Sequence, residues 1–382
     1  KLDPCVFYIR DEDGNIAGHI PLHVDDTRGR IREDWLPWLE ETLKAEFSLG
    51  EFEVLKAGSS KDFVGERCSE EDDAVYYDQW DYAREKMSEV KLDAKRAKHR
   101  EELATDEEIA EFRSVLGKAA WVTNHTRPES VYETSVAQSK VSSVDEQGKS
   151  KLKVSDILRL NKTSRFLGDQ RFAYRVKHPK LKEGPVKVVV IADAGEGEQS
   201  KEDYEKSQCG RVIGLMHVDD AGEGSCCVVD FKSQKCKRVT HNSFDGETIA
   251  AIDAVEAGMA VALLVEEYNN GVLPSLRERQ IAEADGRELV RVRTPVELYT
   301  DSNSLVTKVK NVRMDPKLTK RRKQDVADLK EALGVGDLSR LIHHRGEWIV
   351  ADPLTKPRAR SGQTSEELIR MVSRGWFAPV LG

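Results

Sequence analysis

The stretch that decides the fold runs from Val186 to Asp193 and reads Val-Lys-Val-Val-Val-Ile-Ala-Asp. Its β-branched residues predict a buried strand that ends at a carboxylate. Four further strands are predicted downstream, at Arg211–Val218, Cys226–Lys232, Val296–Thr300 and Leu338–His343. With the helices predicted between and after them, the order βββαβαβα indicates a mixed sheet of five strands with helices packed against it.

Four carboxylates lie at corresponding places in this pattern. Asp193 directly follows the first strand, Glu247 opens the long helix after the third, Asp301 ends the fourth, and Asp352 precedes Pro353 at the last helical region. Sites in open α/β sheets form beyond strand ends, and if the first and fourth strands are neighbours, Asp193 and Asp301 end side by side. Like charges so close repel unless a cation holds them. Hard oxygen ligands suit Mg²⁺ or Mn²⁺, and two such ions about 3.5–4 Å apart serve phosphodiester hydrolysis.

These acids also have an ordinary alternative use. Asp and Glu at helix starts act as caps, each worth roughly 0.5–2 kcal/mol. An Asp at a strand end is a common turn residue. Spacing alone therefore leaves two interpretations open, a metal site and a set of caps.

The region before Lys180–Pro185 has a different pattern, which predicts a domain boundary there. Residues 1–31 predict two strands around an acidic turn, ending at His23-Val24-Asp25-Asp26. Thr105 and Glu108 fit a capping box at the start of a helix. The other predictions here are a hairpin of Phe52–Leu55 with Asp62–Cys68, helices at Trp35–Phe47, Gln79–Val90, Glu129–Lys140 and Val154–Leu167, and a flexible linker at Ser142–Ser150.

Composition and charge exclude several classes of protein. With 382 residues the chain is too long for one ordinary core, and 39% hydrophobic residues exclude a disordered chain. The apolar stretch Ala250–Val265 is interrupted by Asp253 and Glu256, so no membrane span is predicted. The six cysteines form no C-x-x-C pair, which argues against a zinc ribbon and for reduced, intracellular thiols.

The net charge of −8 excludes a globally basic nucleic-acid binder, but the charge is unevenly distributed. Between Lys151 and Lys187 eleven Lys and Arg residues stand against three acids. A local basic surface is therefore compatible with the acidic total.

An ordered series of motifs resembles the C-terminal part of the polyprotein of copia-type long-terminal-repeat retrotransposons (pseudoviruses). In that family the end of the reverse transcriptase is followed by ribonuclease H. The final motif is the most specific, because Ala351–Pro357 resembles the family's A-D-x-L-T-K-P closely. The other segments that carry the resemblance are Asp3–Phe7, His23–Asp26 (the family's Y-V-D-D), Phe63–Gly65, Gln79 with Tyr82, Phe112–Gly117, Thr126–Glu129, Ile191–Ala194, Lys206–Gly210, Gly246-Glu247 with Ala250, and Tyr299–Ser304.

The resemblance implies an α+β to α/β chain of three parts. Residues 1–100 would be the C-terminal part of a reverse-transcriptase palm, residues 101–183 a helical thumb or connection, and residues 184–382 a ribonuclease H-like domain. The implied activity is that of an endonuclease, a hydrolase that cuts the RNA strand of an RNA–DNA hybrid with two Mg²⁺ or Mn²⁺ ions. Asp193, Glu247 and Asp301 would hold one ion, and Asp193 with Asp352 the other. His343 or His344 would be either a general acid that assists product release or an ordinary strand-end residue.

The polymerase half is expected to be incomplete. Asp25 and Asp26 match two metal-binding acids of the polymerase motif, but the third acid of such a site would precede Lys1, and His23 replaces the family's Tyr. We therefore expect the chain to be part of a longer product, with polymerase activity only in the full-length parent. The expected partners are the missing N-terminal polymerase region or the integrase of the same polyprotein, and the expected location is a cytoplasmic particle and the nucleus of the cell.

Two basic segments are candidates for contacts with the hybrid, whose A-form backbone is recognised mainly through phosphates and sugar hydroxyls. The alternative is that both are solvated charged helices. The candidate residues are Arg159, Lys162, Arg165, Arg171 and Arg175 in the first segment, and Lys320, Arg321 and Arg322 in the second.

Three hypotheses remain open from the sequence. The first is a nuclease fragment of a transposable element. The second is a catalytically inactive remnant that acts at most as a hybrid-binding or structural module, and it draws on departures from the family pattern. Asn242–Glu247 replaces the usual S-T-E-A-E, and no aromatic residue follows Asp193 and Ala194. The third is a polymerase subunit completed by a partner chain.

Overall fold

The fold was analysed in a computed structural model of the 382-residue chain. The structure describes residues 3–23, 26–48, 50–195, 206–220, 222–271, 281, 284–285 and 294–381.

The N-terminal part begins with a β-hairpin. The predicted pair of strands is present and antiparallel, with Val6 opposite Pro21 and Phe7 opposite Ile20. A turn at Asp11–Asn15 joins the two strands, and the side chain of Asp11 accepts a hydrogen bond from the Asn15 backbone. The elements are β1 (Val6–Arg10), β2 (Ile16–His23), β3 (Asp26–Thr27), β4 (Arg30–Ile31) and the helix α1 (Leu36–Glu46).

A second sheet and a helical unit follow. Their elements are β5 (Ser60–Phe63), β6 (Glu66–Glu71), β7 (Ala74–Asp78), α2 (Trp80–Lys86), α3 (Asp106–Thr123), α4 (Val131–Val141), α5 (Val154–Gly168) and β8 (Val176–Pro179). The capping box predicted for α3 is confirmed, since Thr105 and Glu108 exchange both hydrogen bonds. Helices α2, α3 and α5 share one apolar core around Phe112, Leu152 and Ile157.

Three predictions for this region were wrong in detail. Phe52–Leu55 forms no strand, and the hairpin is made by β5 and β6 instead. Helix α2 ends at Lys86 because Met87 adopts an extended backbone. The predicted linker at Ser142–Ser150 is a closed turn, in which the Asp145 carboxylate accepts from the backbone of Gln147 and Lys149.

The C-terminal part contains the predicted five-stranded sheet. Its elements are β9 (Val186–Gly195), β10 (Gln208–His217), β11 (Gly224–Ser225), β12 (Cys227–Lys235), α6 (Ser243–Asn270), β13 (Val296–Thr300), α7 (Asn303–Lys310), α8 (Lys320–Val335), β14 (Arg340–His343), α9 (Arg358–Arg374) and β15 (Trp376–Phe377). The strand order is β12-β10-β9-β13-β14. The first three strands are antiparallel, whereas β9, β13 and β14 are parallel.

The central strand β9 is apolar from Val188 to Ala192 because both faces of the sheet are covered there. Val189 and Ile191 face a core completed by α9 and Phe377. Val188 and Val190 face a second core completed by α6, α7 and α8. The chain therefore places the carboxyl end of β9, and with it Asp193, between two packed layers.

Helix α6 is, among the described residues, the one helix long and apolar enough by length and composition to cross a membrane. Of its most apolar stretch, 44% is buried inside the protein. It packs on β9, β10 and β13. The buried part of its apolar surface belongs to the core that it completes with these strands.

Candidate active site

Three of the four predicted carboxylates converge. Asp193, Glu247 and Asp301 each offer an oxygen, and these oxygens lie within 4.8 Å of one another. The parallel register of the central strands brings two of them together, since Ile191 of β9 is paired with Tyr299 of β13 and each acid follows two residues later. The third, Glu247, is the fifth residue of α6, which packs on β9.

A glycine permits the close approach of α6 to β9. A Cβ at Gly246 would lie 2.6 Å from Ser207 Oγ and 3.3 Å from Ala194 Cβ. The helix is started by Asn242, whose side chain accepts from the backbone N–H of Asp245 at 3.0 Å. The segment that departs from the family's S-T-E-A-E is therefore the one that brings Glu247 against the strand end.

Asp352 lies beside this group but is engaged by other partners. It begins a short 3-10 turn, Asp352–Leu354. One carboxylate oxygen accepts from Thr364 Oγ1 at 2.7 Å, and the other forms an ion pair with Lys356. Thr355 Oγ1 donates to Asp193 Oδ2 at 2.5 Å, so the turn is attached directly to the first carboxylate. Asp193, Glu247 and Asp301 thus come together as predicted, whereas Asp352 lies in the adjoining turn.

The electrostatics of the group favour a bound cation. Burial, reinforced by Asp301, raises the pKa of Asp193 to about 7. Burial, with Asp193 and Asp301 as like charges, raises the pKa of Glu247 to about 10. The pKa of Asp301 is also raised, first by burial and then by Asp352. A divalent cation among these oxygens would reverse the repulsion that disfavours the ionised forms.

One atom of the group has its hydrogen-bonding capacity unused. Glu247 Oε2 is buried, and no hydrogen-bond partner is found for it among the described residues. A buried acceptor without a partner is costly, and a metal ion is one of the ways to satisfy it. An all-oxygen donor set with one orphaned oxygen fits Mg²⁺ or Mn²⁺.

Of the two polymerase-motif acids, the structure describes one. Asp26 is exposed in β3, and Asp25 lies outside the described residues. Among the described residues, the acidic group at Asp193 is the one cluster of three or more ligand-type side chains that could hold a metal ion.

The two histidines near Asp352 occupy different environments. His343 Nε2 lies 3.1 Å from the backbone carbonyl oxygen of Asp301 and is half-buried. His344 is buried, and its ring nitrogens meet the Arg345 carbonyl and the Val380 N–H. His344 is therefore a packed core residue, whereas His343 touches the strand end that carries Asp301.

The predicted nucleic-acid residues are mostly at the surface. Lys162, Lys320 and Arg321 are exposed. Several others are paired with neighbours: Arg165 with Glu89, Arg171 with Asp169, Arg175 with Glu71 and the ring of Tyr76, and Arg159 with the ring of Tyr132.

The prediction for Arg322 was wrong. Only 3% of the residue is exposed, and its guanidinium pairs with Asp325 at 2.8 Å and with Asp245 at 3.7 Å. A buried cation held by two carboxylates cannot reach a phosphate backbone. Arg322 instead joins α8 to the first turn of α6, next to Glu247.

Sequence reasoning missed the supporting residues Thr355, Lys356 and Thr364. Thr355 and Lys356 stand inside the motif Ala351–Pro357, so the signal was present without its physical meaning. The spacing of four between Asp352 and Lys356 is that of an intrahelical ion pair, which offered a further sign. Thr364 carries no such local signal, because its contact with Asp352 depends on how α9 folds back.

Comparison with known proteins finds similarity in solved structures alone. No protein-family model matches the chain, and no curated protein matches it. The LC11 ribonuclease H1 isolated from compost by a metagenomic approach is 15% identical, with 44% of this chain and 91% of that chain covered and a TM-score of 0.27. The same enzyme in complex with an RNA/DNA hybrid is 16% identical, with 44% of this chain and 93% of that chain covered and a TM-score of 0.27.

A foamy viral protease–reverse transcriptase in complex with double-stranded DNA covers more of the chain. The identity is 14%, with 85% of this chain and 54% of that chain covered and a TM-score of 0.40. The structural neighbours are thus ribonucleases H and a viral reverse transcriptase. All these TM-scores are below 0.5, so the function proposed below stands on the geometry of the carboxylates.

Proposed function

We propose that the chain is a metal-dependent ribonuclease H that hydrolyses the RNA strand of RNA–DNA hybrids. The observation that carries the proposal is the meeting of Asp193, Glu247 and Asp301 within 4.8 Å at one end of the central parallel strands. Acids that serve only as caps or turn residues have no reason to share one site in a buried, mutually repelling arrangement. The capping alternative accounts for each acid singly but not for their convergence.

The residues divide into ligands and supports. Asp193, Glu247 and Asp301 would hold one Mg²⁺ or Mn²⁺, and Asp193 with Asp352 a second. When bound, such ions supply an activated water and neutralise charge at the scissile phosphodiester. Thr355 orients the Asp193 carboxylate through its 2.5 Å hydrogen bond, and Thr364 orients that of Asp352. His343, which lies 3.1 Å from the Asp301 backbone carbonyl, would be the histidine that assists product release as a general acid.

The substrate would be held through its phosphates and sugar hydroxyls. Lys320 and Arg321 lie at the start of α8, and Lys162 lies on α5. All three are exposed cations. Such contacts bind a hybrid without reading its sequence.

The wider assignment belongs to this proposal as well. The ordered motifs and the position of the ribonuclease H-like sheet after β1–β8 support an origin in a copia-type transposable element, with residues 1–100 as part of a polymerase palm and residues 101–183 as thumb or connection. The polyprotein partners, the particle and nuclear location, and polymerase activity in a longer parent follow from that origin.

One observation favours the inactive remnant as a second candidate. Lys356 already neutralises Asp352, the carboxylate that a second ion would require. Two ions would need this ammonium to move aside. In a remnant the same pair would simply be a permanent structural contact.

Hydrolysis of a labelled hybrid separates the two candidates. With Mg²⁺ or Mn²⁺ the purified chain is expected to cut the RNA strand of the hybrid and to leave double-stranded DNA intact. Chelation of the metal should abolish cleavage while leaving binding of the hybrid in place. Binding without cleavage under every metal condition would contradict the nuclease and favour the remnant.

A further inference from the structure

The turn that carries Asp352 is braced by the helical unit that precedes the ribonuclease H-like sheet. The Asp352–Leu354 turn packs directly against another short turn, Pro128–Ser130, which connects α3 to α4. Helix α9, which begins at Arg358, packs on the same Pro128–Ser130 turn. The motif with the fourth acid therefore lies against a motif more than 200 residues earlier in the chain.

Arg358 forms the main polar link across this contact. Its guanidinium carbon lies 3.1 Å from the centre of the Phe166 ring, which belongs to α5. Its backbone N–H donates to the Glu133 side chain of α4 at 2.9 Å. A guanidinium over an aromatic face and an N–H on a carboxylate are both favourable contacts, and partial burial strengthens them.

The ring that receives Arg358 is itself held in place. The guanidinium carbon of Arg127 lies 4.9 Å from the centre of the Phe166 ring and 5.3 Å from the centre of the Tyr174 ring. Arg127 pairs with the buried Glu129 at 2.7 Å, and Tyr174 donates to Glu129 at 2.6 Å. These groups are taken out of water, so they have few alternative positions.

We propose that Glu133, Phe166 and Arg358 are positioning residues, which hold the Asp352–Lys356 segment at the distance from Asp193 that the site requires. Arg358 is two residues beyond Lys356. Contacts that fix its backbone and side chain therefore restrict the movement of the preceding turn. The consequence for catalysis rests on the proposed nuclease function. The mechanical part, that the helical unit orders this turn, does not.

The first readout is amide hydrogen exchange in residues 349–356 of the full chain, measured without metal or substrate. The amides of Asp352, Leu354 and Thr355 donate to the carbonyls of Ile349, Ala351 and Asp352, and that of Ile349 donates to Gly346, so exchange at these amides reports opening of the turn. Arg358→Ala and Glu133→Ala are each expected to raise the exchange rate of this segment about tenfold. This corresponds to a free energy of local opening that is lower by about 1.4 kcal/mol. Glu133→Gln keeps an acceptor for the Arg358 N–H and should restore protection.

The matched control is Arg360→Ala, which removes an exposed cation from the same helix two residues later. It should leave exchange within twofold of the wild type. If the Arg358→Ala variant melts below the assay temperature, Phe166→Leu takes its place. This substitution removes the ring that stacks on Arg358 and keeps an apolar side chain. Unchanged exchange in Arg358→Ala, or in Phe166→Leu where that replaces it, overturns the proposal.

The second readout separates positioning from substrate contact. Arg358→Ala should lower kcat for hybrid cleavage about tenfold and leave the Kd for the hybrid within twofold. A rise in Kd with kcat unchanged would make Arg358 a hybrid contact and overturn the positioning role. A wild type that cuts no hybrid would contradict the proposed function instead, while the exchange experiment would still decide the proposal made here.

Discussion

Asp193 and Asp301 stand at the same level at the ends of neighbouring parallel strands. Ile191 is paired with Tyr299, and Asp193 and Asp301 each lie two residues beyond this pair on their own strands. Residues at the carboxyl ends of adjacent parallel strands share one edge of a sheet, so this register alone brings the two side chains together. The mutual repulsion of these acids, which adds to the effect of burial in raising the pKa values of Asp193 and Glu247, follows from that meeting.

Replacement of Gly246 by Ala should displace Glu247 from this pair. The added Cβ would lie 2.6 Å from Ser207 Oγ, so the first turn of α6 must move away from β9. We expect a loss of about tenfold in cleavage, because misplacement of a ligand by about 1 Å costs up to about a hundredfold.

A matched pair of variants tests that explanation. Gly334→Ala, in α8, meets nothing within 4 Å and should be neutral. Adding Ser207→Ala to Gly246→Ala removes the nearest obstacle and should recover part of the activity. Full activity in Gly246→Ala alone would show that Glu247 needs no close packing.

The hydroxyl of Thr355 should matter more than its shape. Thr355→Val keeps the volume but removes the donor to Asp193 Oδ2, whereas Thr355→Ser keeps the donor and loses a methyl group. We expect kcat to fall about tenfold in the valine variant, which corresponds to about 1.4 kcal/mol of transition-state stabilisation. The serine variant should stay within threefold of the wild type. Equal activity of the two variants would show that the Thr355 hydroxyl does not support the site.

The neighbouring arginines of α8 should behave differently from each other. Arg322→Ala leaves Asp245 and Asp325 buried without this partner and should lower the free energy of unfolding by roughly 3 kcal/mol. Arg321→Ala, at an exposed position, should change stability by less than about 0.5 kcal/mol. It should instead weaken hybrid binding and reduce the salt slope by about one. Urea unfolding and binding at several salt concentrations measure both, and a destabilising Arg321→Ala would contradict this division.

The sequence allowed the five strands of the main sheet and the three acids that converge at its edge to be predicted, because strands covered on both faces and acids at element ends have strong local signals. It did not reveal that Arg322 is buried, since the two carboxylates that hold it come from α8 itself and from Asp245 on another helix. Strands β7 and β8 were not predicted, and their pairing, for example of Ala74 with Pro179, joins segments about 100 residues apart in the chain. Contacts of that kind depend on tertiary packing and leave no periodic pattern.

Magnesium should stabilise the folded chain, and more strongly at pH 8 than at pH 5.5. Asp193 and Glu247 have raised pKa values, so the metal-free folded state binds more protons than the unfolded state and loses stability as the pH rises from about 4 towards their folded values. A cation binds the ionised form and offsets that loss. Melting temperatures with Mg²⁺ and with chelator at the two pH values measure the effect. A rise in melting temperature with Mg²⁺ that is equal at the two pH values, or larger at pH 5.5, would contradict this prediction.

The most direct test of the account compares the wild type with Asp301→Asn on one labelled RNA–DNA hybrid. The substitution keeps the shape of the side chain and removes a charge that the metal requires. The account predicts that both proteins fold and bind the hybrid equally, that the wild type cuts the RNA strand with Mg²⁺, and that Asp301→Asn cuts it at least about a hundredfold more slowly. Equal cleavage by the two proteins, or no cleavage by either despite equal binding, would contradict it.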